Sequence, residues 1–152
     1  MSSLKNKVAF ITGAAHGQGR ATALALAKEG ADIIAFDIAK PLSYPGYELG
    51  NSNDMTSLKA AVEEMGSQCM LYEGDVRKDT DVKAAVDQAI STFNRIDILF
   101  NNAGICAYGL AHELEEAEWD AMIDINLKGA WLTARHIIPI MMAQQSGNII
   151  NN

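Results

Sequence analysis

The sequence predicts an α/β fold, a parallel sheet with helices wound over both faces, and three observations predict it. Short apolar segments alternate with helix-period segments about four times along the chain, the pattern of consecutive βαβ units. The apolar segments are nearly continuous rather than alternating, as strands buried on two faces require. The first of them runs into a glycine turn and then a helix, Val8-Ala9-Phe10-Ile11-Thr12-Gly13-Ala14-Ala15-His16-Gly17-Gln18-Gly19-Arg20, a backbone device able to hold a pyrophosphate.

Strands are expected over residues 8–14, 32–37, 69–75, 97–103 and 147–152. The helix after the glycine turn covers residues 18–29 and stops at Gly30, where a residue without Cβ can take the left-handed cap conformation. The long connection over residues 38–52 carries Pro41, Pro45, Gly46 and Gly50 and is either a surface insertion or a lid over a ligand. The next helix starts near Asn53 or Asp54, places Leu58, Ala61, Val62 and Met65 at helical spacing, and closes at Gly66. In the third, Asp79 can cap the start while Val82, Val86, Ala89, Ile90 and Phe93 form the inward stripe. Helical pattern then fills residues 115–144, and Gly129 and Pro139 inside it predict a kink or break. Trp119, Met122, Ile123, Leu127, Trp131, Ile137, Ile138, Met141 and Met142 are too many for one side of an exposed helix, so this region is expected to meet both the sheet and a second surface, such as a partner subunit.

A chain of 152 residues, 49% of them hydrophobic and 20% charged, fits a single globular domain over residues 1–152. A formal net charge of -7, with basic residues scattered rather than striped, argues against a nucleic-acid partner. The first residues lack the apolar core of a secretory signal, and no apolar run is long enough to cross a bilayer, so no membrane and a cytoplasmic location are expected. Cys69 and Cys106 have no paired spacing, which offers neither a disulfide framework nor a zinc site. Both read as reduced core thiols, with a reactive role conceivable for Cys106, which follows a loop expected to line a ligand.

The G-x-x-x-G-x-G spacing of Gly13, Gly17 and Gly19, after a strand and at a helix start, turns backbone N–H groups and the positive helix end toward diphosphate oxygens. Asp37 ends the next strand at the separation where an acid meets an adenosine ribose. A carboxylate there favours NAD, because a 2′-phosphate would be repelled while a ribose hydroxyl can donate to it. His16 and Arg20 lie near the phosphate turn and soften this preference without reversing it.

The chain resembles the N-terminal part of a short-chain dehydrogenase/reductase, and four motifs in that family's order carry the resemblance. They are Thr12-Gly13-Ala14-Ala15-His16-Gly17-Gln18-Gly19, Asp75-Val76, Asn101-Asn102-Ala103-Gly104, and Asn126 within Asn126-Leu127-Lys128-Gly129. The resemblance implies a Rossmann-like doubly wound parallel sheet, here truncated after about five strands, and NAD held at Gly13, His16, Gly17, Gln18, Gly19 and Asp37. It further implies that Asp75 bonds the adenine amino group, that Val76 contributes backbone, and that Asn102, Ala103 and Gly104 wall the nicotinamide ribose. Asn126 corresponds to one member of the family's catalytic tetrad. The connection after Asp37, with Lys40-Pro41 and Tyr44-Pro45-Gly46-Tyr47, is similar to the carveol-dehydrogenase-like, mycofactocin-associated branch, which implies oxidation of secondary alcohols and firmly held NAD.

The departures are equally specific. The family's serine and its Tyr-x-x-x-Lys pair are missing, since Tyr44, Tyr47, Tyr72 and Tyr108 precede Glu48, Asn51, Val76 and His112 at the lysine offset. The expectation is therefore an NAD-binding portion of an oxidoreductase that acts on a small alcohol or ketone as a homo-oligomer, the present chain being catalytically silent alone. A stand-alone NAD-binding module or sensor is the alternative, and a pure interaction domain a third. Because family members continue the sheet, the last strand is expected to be an exposed apolar edge that promotes self-association.

Overall fold

A computed structural model describes residues 3–106 and 108–152. Cys106, expected to be a core thiol, is exposed, its backbone N–H donating to the Tyr47 hydroxyl at 3.0 Å. Among the described residues, β1 (Val8–Thr12), β2 (Asp32–Asp37), β3 (Cys69–Glu73), β4 (Ile98–Asn101) and β5 (Asn148–Asn151) form one parallel sheet in the order β3-β2-β1-β4-β5. The helices are α1 (Gly17–Lys28), α2 (Ser52–Glu64), α3 (Asp79–Phe93), α4 (Glu116–Met122) and α5 (Ala130–Gln144), with a π-helical segment, Ile123–Gly129, between the last two. The first, third and fourth strands stop two residues before the expected ends, at 14, 75 and 103, because the ladder ends where the chain turns out of the sheet; at the first of these Gly13 takes φ +66.

Successive strand residues point to opposite faces, which sorts the apolar runs into two cores. Ala9, Ile11, Ile33 and Ala35 pack with Ala23 and Ala27 of α1 and Leu58 and Val62 of α2. Val8, Phe10, Ile34 and Phe36 pack with Val82, Val86 and Ala89 of α3 and Ile137 and Met141 of α5. On this second face Phe10, Phe36 and Tyr72 stack across three strands, with ring centroids 5.9 and 5.7 Å apart. The strand order runs one way from β1 through β2 to β3 and the other way through β4 to β5, so the sheet has its topological switch point between β1 and β4. Open α/β sheets take their ligands outside the carboxyl ends of the strands at that point.

Local signals place most boundaries, and tertiary partners override one. Asn51 caps α2 by accepting from the Asn53 and Asp54 amides while Asp54 accepts from the Asn51 amide, so the helix starts at Ser52, slightly earlier than expected. Its buried stripe is accordingly Met55, Leu58 and Val62, and Met65, expected inside, sits at the helix end and is exposed. Asp79 does not cap α3: its carboxylate reaches α5 instead, 2.8 Å from His136 Nε2 and 3.3 Å from Arg135 Nη1. The break expected in the fourth helical region is the π-helical segment ending at Gly129, whereas Pro139 lies within α5 without ending it. Gly30 and Gly66 take the left-handed conformations expected of helix-closing glycines, at φ +91 and +87.

The broad apolar face of the α4–α5 region divides in two. Ile125, Leu132, Ile137 and Met141 are buried, while Trp119, Ile123, Leu127, Trp131, Ile138 and Met142 are exposed, Trp131 lying beneath the Arg135 guanidinium. Cys69 is buried, and burial pushes its thiol up to about 12, which keeps it protonated and unreactive at neutral pH.

At one sheet edge all four residues of β5 are exposed, including Ile149 and Ile150, beside exposed Ile138 and Met142. An unpaired strand edge with apolar side chains is a template for association. The 152-residue chain is therefore expected to self-associate, read as a sedimentation coefficient that rises with concentration; a monodisperse monomer at high concentration would contradict this.

Candidate functional site

At the end of β1 the backbone turns through Gly13 and re-enters a helix at Gly17. A Cβ on Gly13 would lie 2.9 Å from Ala103 Cα and 3.0 Å from Asn102 Nδ2, and one on Gly19 would overlap the Gly13 carbonyl oxygen. Both glycines are thus required by close packing between the turn and the end of β4. Gly17 differs: its φ of +55 demands glycine, yet nothing lies within 4 Å of the place a Cβ would occupy. The open side of the turn is backbone.

His16 stands at the N-cap of α1 in extended conformation, no side chain caps the helix, and no acid occupies its first turn. The first N–H groups of an α-helix have no partner within it, and their dipoles sum toward positive. Here they are left for an anion.

Two aspartates stand to one side of this turn, Asp37 at the carboxyl end of β2 and Asp75 just beyond β3. Asp37, only 6% exposed, accepts from the Ala15 amide at 2.9 Å through Oδ2 and from the Ala39 amide at 2.9 Å through Oδ1. Each oxygen keeps a lone pair for a ligand hydroxyl. Asp75 is equally buried, but its oxygens are taken by Arg77, whose Nε lies 2.9 and 3.0 Å from them and whose Nη2 lies 2.6 Å from Oδ2. Burial pushes the Asp75 carboxyl upward, and the Arg77 hydrogen bonds and charge outweigh that and hold it below the ordinary carboxylate range. Gly13, His16, Asp37, Asp75, Val76, Ala103 and Gly104 line one cleft.

Behind the cleft Thr12 ties β1 to β4. Its Oγ1 accepts from the Asn102 amide at 2.9 Å and the Ala103 amide at 3.0 Å, and Asn102 Nδ2 returns bonds to the Thr12 and Gly13 carbonyls at 3.1 Å each. Asn126, in the π-helical segment, pairs with the backbone of a single residue: Ile105 N–H donates to its Oδ1 and its Nδ2 donates to the Ile105 carbonyl, both at 2.9 Å. Asn126 therefore fixes the loop after β4. Gly129 ends that segment against Val76, where a Cβ would lie 2.8 Å from Val76 Cγ2.

Of the residues singled out from sequence, Gln18 stands apart, exposed and with its Oε1 accepting from Asn152 Nδ2. Arg20 points away from the turn, its guanidinium donating to the Asp54 carbonyl and the Ser57 hydroxyl of α2. Sequence reasoning left open whether residues 38–52 formed a lid. Leu42, Leu49 and Gly50 line the cleft, with Gly50 pressed onto Ala15 so that a Cβ would overlap it. Arg77 and Thr12 were missed as site residues, although Asp75-Val76-Arg77 carries a short-range acid–base spacing that signals an ion pair. Among the described residues, no three His, Cys, Asp or Glu side chains gather as a metal site, and no helix is long and apolar enough to cross a membrane.

Residues 7–152 match the family model described as short chain dehydrogenase. The chain belongs to the short-chain dehydrogenase family. It is 40% identical over 151 residues to (-)-trans-carveol dehydrogenase of Rhodococcus erythropolis, covering 99% of this chain and 54% of that enzyme. It is 36% identical to a 3-oxoacyl-[acyl-carrier-protein] reductase of Thermotoga maritima, covering 97% of this chain and 55% of the relative. The crystal structure of carveol dehydrogenase from Mycobacterium avium in complex with NAD superposes with a TM-score of 0.92 at 38% identity, covering 96% of this chain and 53% of that one. A short chain dehydrogenase of Mycobacterium paratuberculosis bound to NAD gives a TM-score of 0.91 at 36% identity, covering 96% and 55%. This short-chain dehydrogenase chain thus spans about half the length of the relatives it matches.

Proposed function

We propose that residues 1–152 form the NAD-binding portion of a short-chain dehydrogenase, and that the whole protein transfers hydride between NAD and a secondary alcohol or ketone. The observation that carries this is the uncapped start of α1 opening at Gly17, with the Asp37 carboxylate in the same cleft. The backbone amides of the first turn would donate to the diphosphate oxygens, and Asp37 would accept from the adenosine ribose hydroxyls. Ala103 and Gly104 leave room for close approach beside the second ribose, with Thr12 and Asn102 fixing that wall. Bound NAD supplies the hydride acceptor, or in its reduced form the donor.

The chain's own residues stop short of the proton transfer. Asp37 and Asp75 are engaged by amides and by Arg77, and Asn126 is an amide that does not titrate in the useful range. The serine and the Tyr-x-x-x-Lys pair that the family uses are not in this sequence, so the chain alone is silent toward alcohols. A cytoplasmic homo-oligomer is the setting proposed for the whole protein, the exposed Leu127 and Trp131 supporting subunit contact.

Isothermal titration tests the cofactor assignment. Charge-assisted hydrogen bonds contribute about 1.5–3 kcal/mol, so NAD is expected to bind at least about tenfold more tightly than NADP. Asp37→Asn, checked for folding by circular dichroism, should weaken NAD about tenfold and narrow its margin over NADP. Absence of NAD binding by folded chain would remove the proposal.

A further inference from the structure

A dinucleotide whose diphosphate lies at the glycine turn of β1 must send its two halves in opposite directions along the carboxyl edge of the sheet, because the strand order is β3-β2-β1-β4-β5. The adenosine half goes toward β2 and β3, over the cavity lined by His16, Asp37 and Asp75. The nicotinamide half goes toward β4 and β5. There a second cavity is lined by Thr12, Asn102, Asn126, Asn151 and Asn152, and none of the three adenosine-side residues lines it. Tyr47 lines this second cavity and not the first, although it belongs to the connection that leaves β2 on the adenosine side. That connection reaches across the cleft. Leu42, Tyr44 and Leu49 pack against the core cluster that holds Val76, Ile105 and Ile125, and the Tyr47 hydroxyl accepts from the Cys106 N–H at 3.0 Å, 59 residues along the chain.

We infer that Tyr47 is a binding residue for the nicotinamide half of the dinucleotide, so that a connection starting beside the adenosine serves the opposite end of the ligand. This rests on the NAD assignment proposed above. A phenol both accepts and donates. The Cys106 N–H takes the acceptor side of Tyr47, and among the described residues its own O–H donates to none. A neutral donor suits this half of the ligand, whose ribose hydroxyls and carboxamide oxygen are neutral acceptors, whereas the charged groups Asp37 and Asp75 stand on the other side. Tyr47 is 49% exposed, so its bond to Cys106 rather than packing holds it, and a ligand reaches the hydroxyl without displacing buried atoms. The anchor is rigid in turn, because Ile105, next to Cys106, is held through both of its backbone groups by Asn126.

The test titrates the full chain with NAD and with ADP, which keeps the adenosine and both phosphates and lacks the nicotinamide riboside. Tyr47→Phe keeps the ring and removes the hydroxyl, and at a half-exposed position it is expected to fold as the wild type does, checked by circular dichroism. The variant should bind NAD about fivefold more weakly, the fold-change of one neutral hydrogen bond, and ADP within about twofold of the wild type. Equal weakening of NAD and ADP would overturn the inference, since Tyr47 would then act on the adenosine side. Unchanged binding of both would overturn it as well, leaving the hydroxyl as a surface tie and nothing more. A wild-type chain that binds NAD no more tightly than ADP has no site for the nicotinamide half, which removes the role of Tyr47 and leaves the adenosine side standing. Failure of both ligands to bind folded wild-type chain is a separate result, which removes the cofactor assignment itself and the role of Tyr47 with it.

Discussion

Replacing Gly19 by alanine is expected to lower stability by about 1–3 kcal/mol and NAD affinity by at least about a hundredfold. The added Cβ would overlap the Gly13 carbonyl oxygen and lie 2.7 Å from Asn102 Nδ2 and 2.8 Å from the Gly13 carbonyl carbon. Neither neighbour can yield cheaply. The carbonyl is main chain in a turn at φ +66, and the Asn102 amide is held by the Thr12 and Gly13 carbonyls. Relief must come from moving the start of α1 away from β4, which redirects the uncapped amides that the diphosphate needs. Gly17→Ala is the informative control, since its Cβ meets nothing within 4 Å and only the left-handed φ of +55 is penalised. That strain costs about 1–2 kcal/mol, so Gly17→Ala should fold and bind NAD better than Gly19→Ala. Thermal melts and titrations on the two variants decide it, and equal behaviour would show that packing at Gly19 does not set the turn.

This turn was legible in the sequence because everything that shapes it is local. A strand, three spaced glycines and a helix within a few residues allow few backbone paths, and Asp37 follows at a distance fixed by one helix and one strand. The strands were legible for a related reason: burial on both faces removes the polar alternation, leaving Phe10-Ile11 and Ile33-Ile34-Ala35-Phe36 as unbroken apolar text that the two cores then divide between them. What escaped depends on partners distant in the chain. Asp79 has the chemistry of a helix cap, but His136 competes for its carboxylate and wins. Thr12 reads as a strand residue, and only the approach of β4 turns its hydroxyl into the acceptor for two amides. Leu42 and Leu49 carry no periodic signal at all, since an irregular segment announces neither its path nor the cleft it covers. Arg77 sits between these cases, its partner only two residues away yet its consequence visible only once Asp75 is placed in the cleft.

The aspartates around the sheet divide by the end they occupy, and the division predicts the largest single loss of stability. Asp37 and Asp75 stand at the carboxyl ends and face the cleft, whereas Asp97 stands just before β4, at the opposite end, and faces no cleft residue. Asp97 is 3% exposed and gathers the Val8 amide at 3.0 Å, Lys7 Nζ at 3.0 Å, and Arg95 Nε and Nη2 at 2.7 and 2.6 Å. Its main chain continues the tie, accepting from the Asn148 amide and donating to the Val8 carbonyl. Asp97→Ala is therefore expected to cost about 2–4 kcal/mol, the orphaned buried Val8 amide supplying about 1–3 of it. Lys7 and Arg95 are about two-fifths exposed and can return to water, which keeps the loss below that of a fully buried pair. Burial raises the Asp97 carboxyl, but hydrogen bonds from Arg95, Lys7 and the Val8 amide outweigh it and hold it below its ordinary 3.8. A depressed carboxyl contributes stability that is complete above the unfolded value and lost as pH falls through the folded one. Melting temperatures of the wild-type chain should consequently drop as the pH is taken below 3.8, and those of Asp97→Ala should drop less over the same range. Parallel curves for the two proteins would show that the acid sensitivity arises elsewhere, and a variant melting with the wild type at neutral pH would show that β1 and β4 do not depend on this carboxylate.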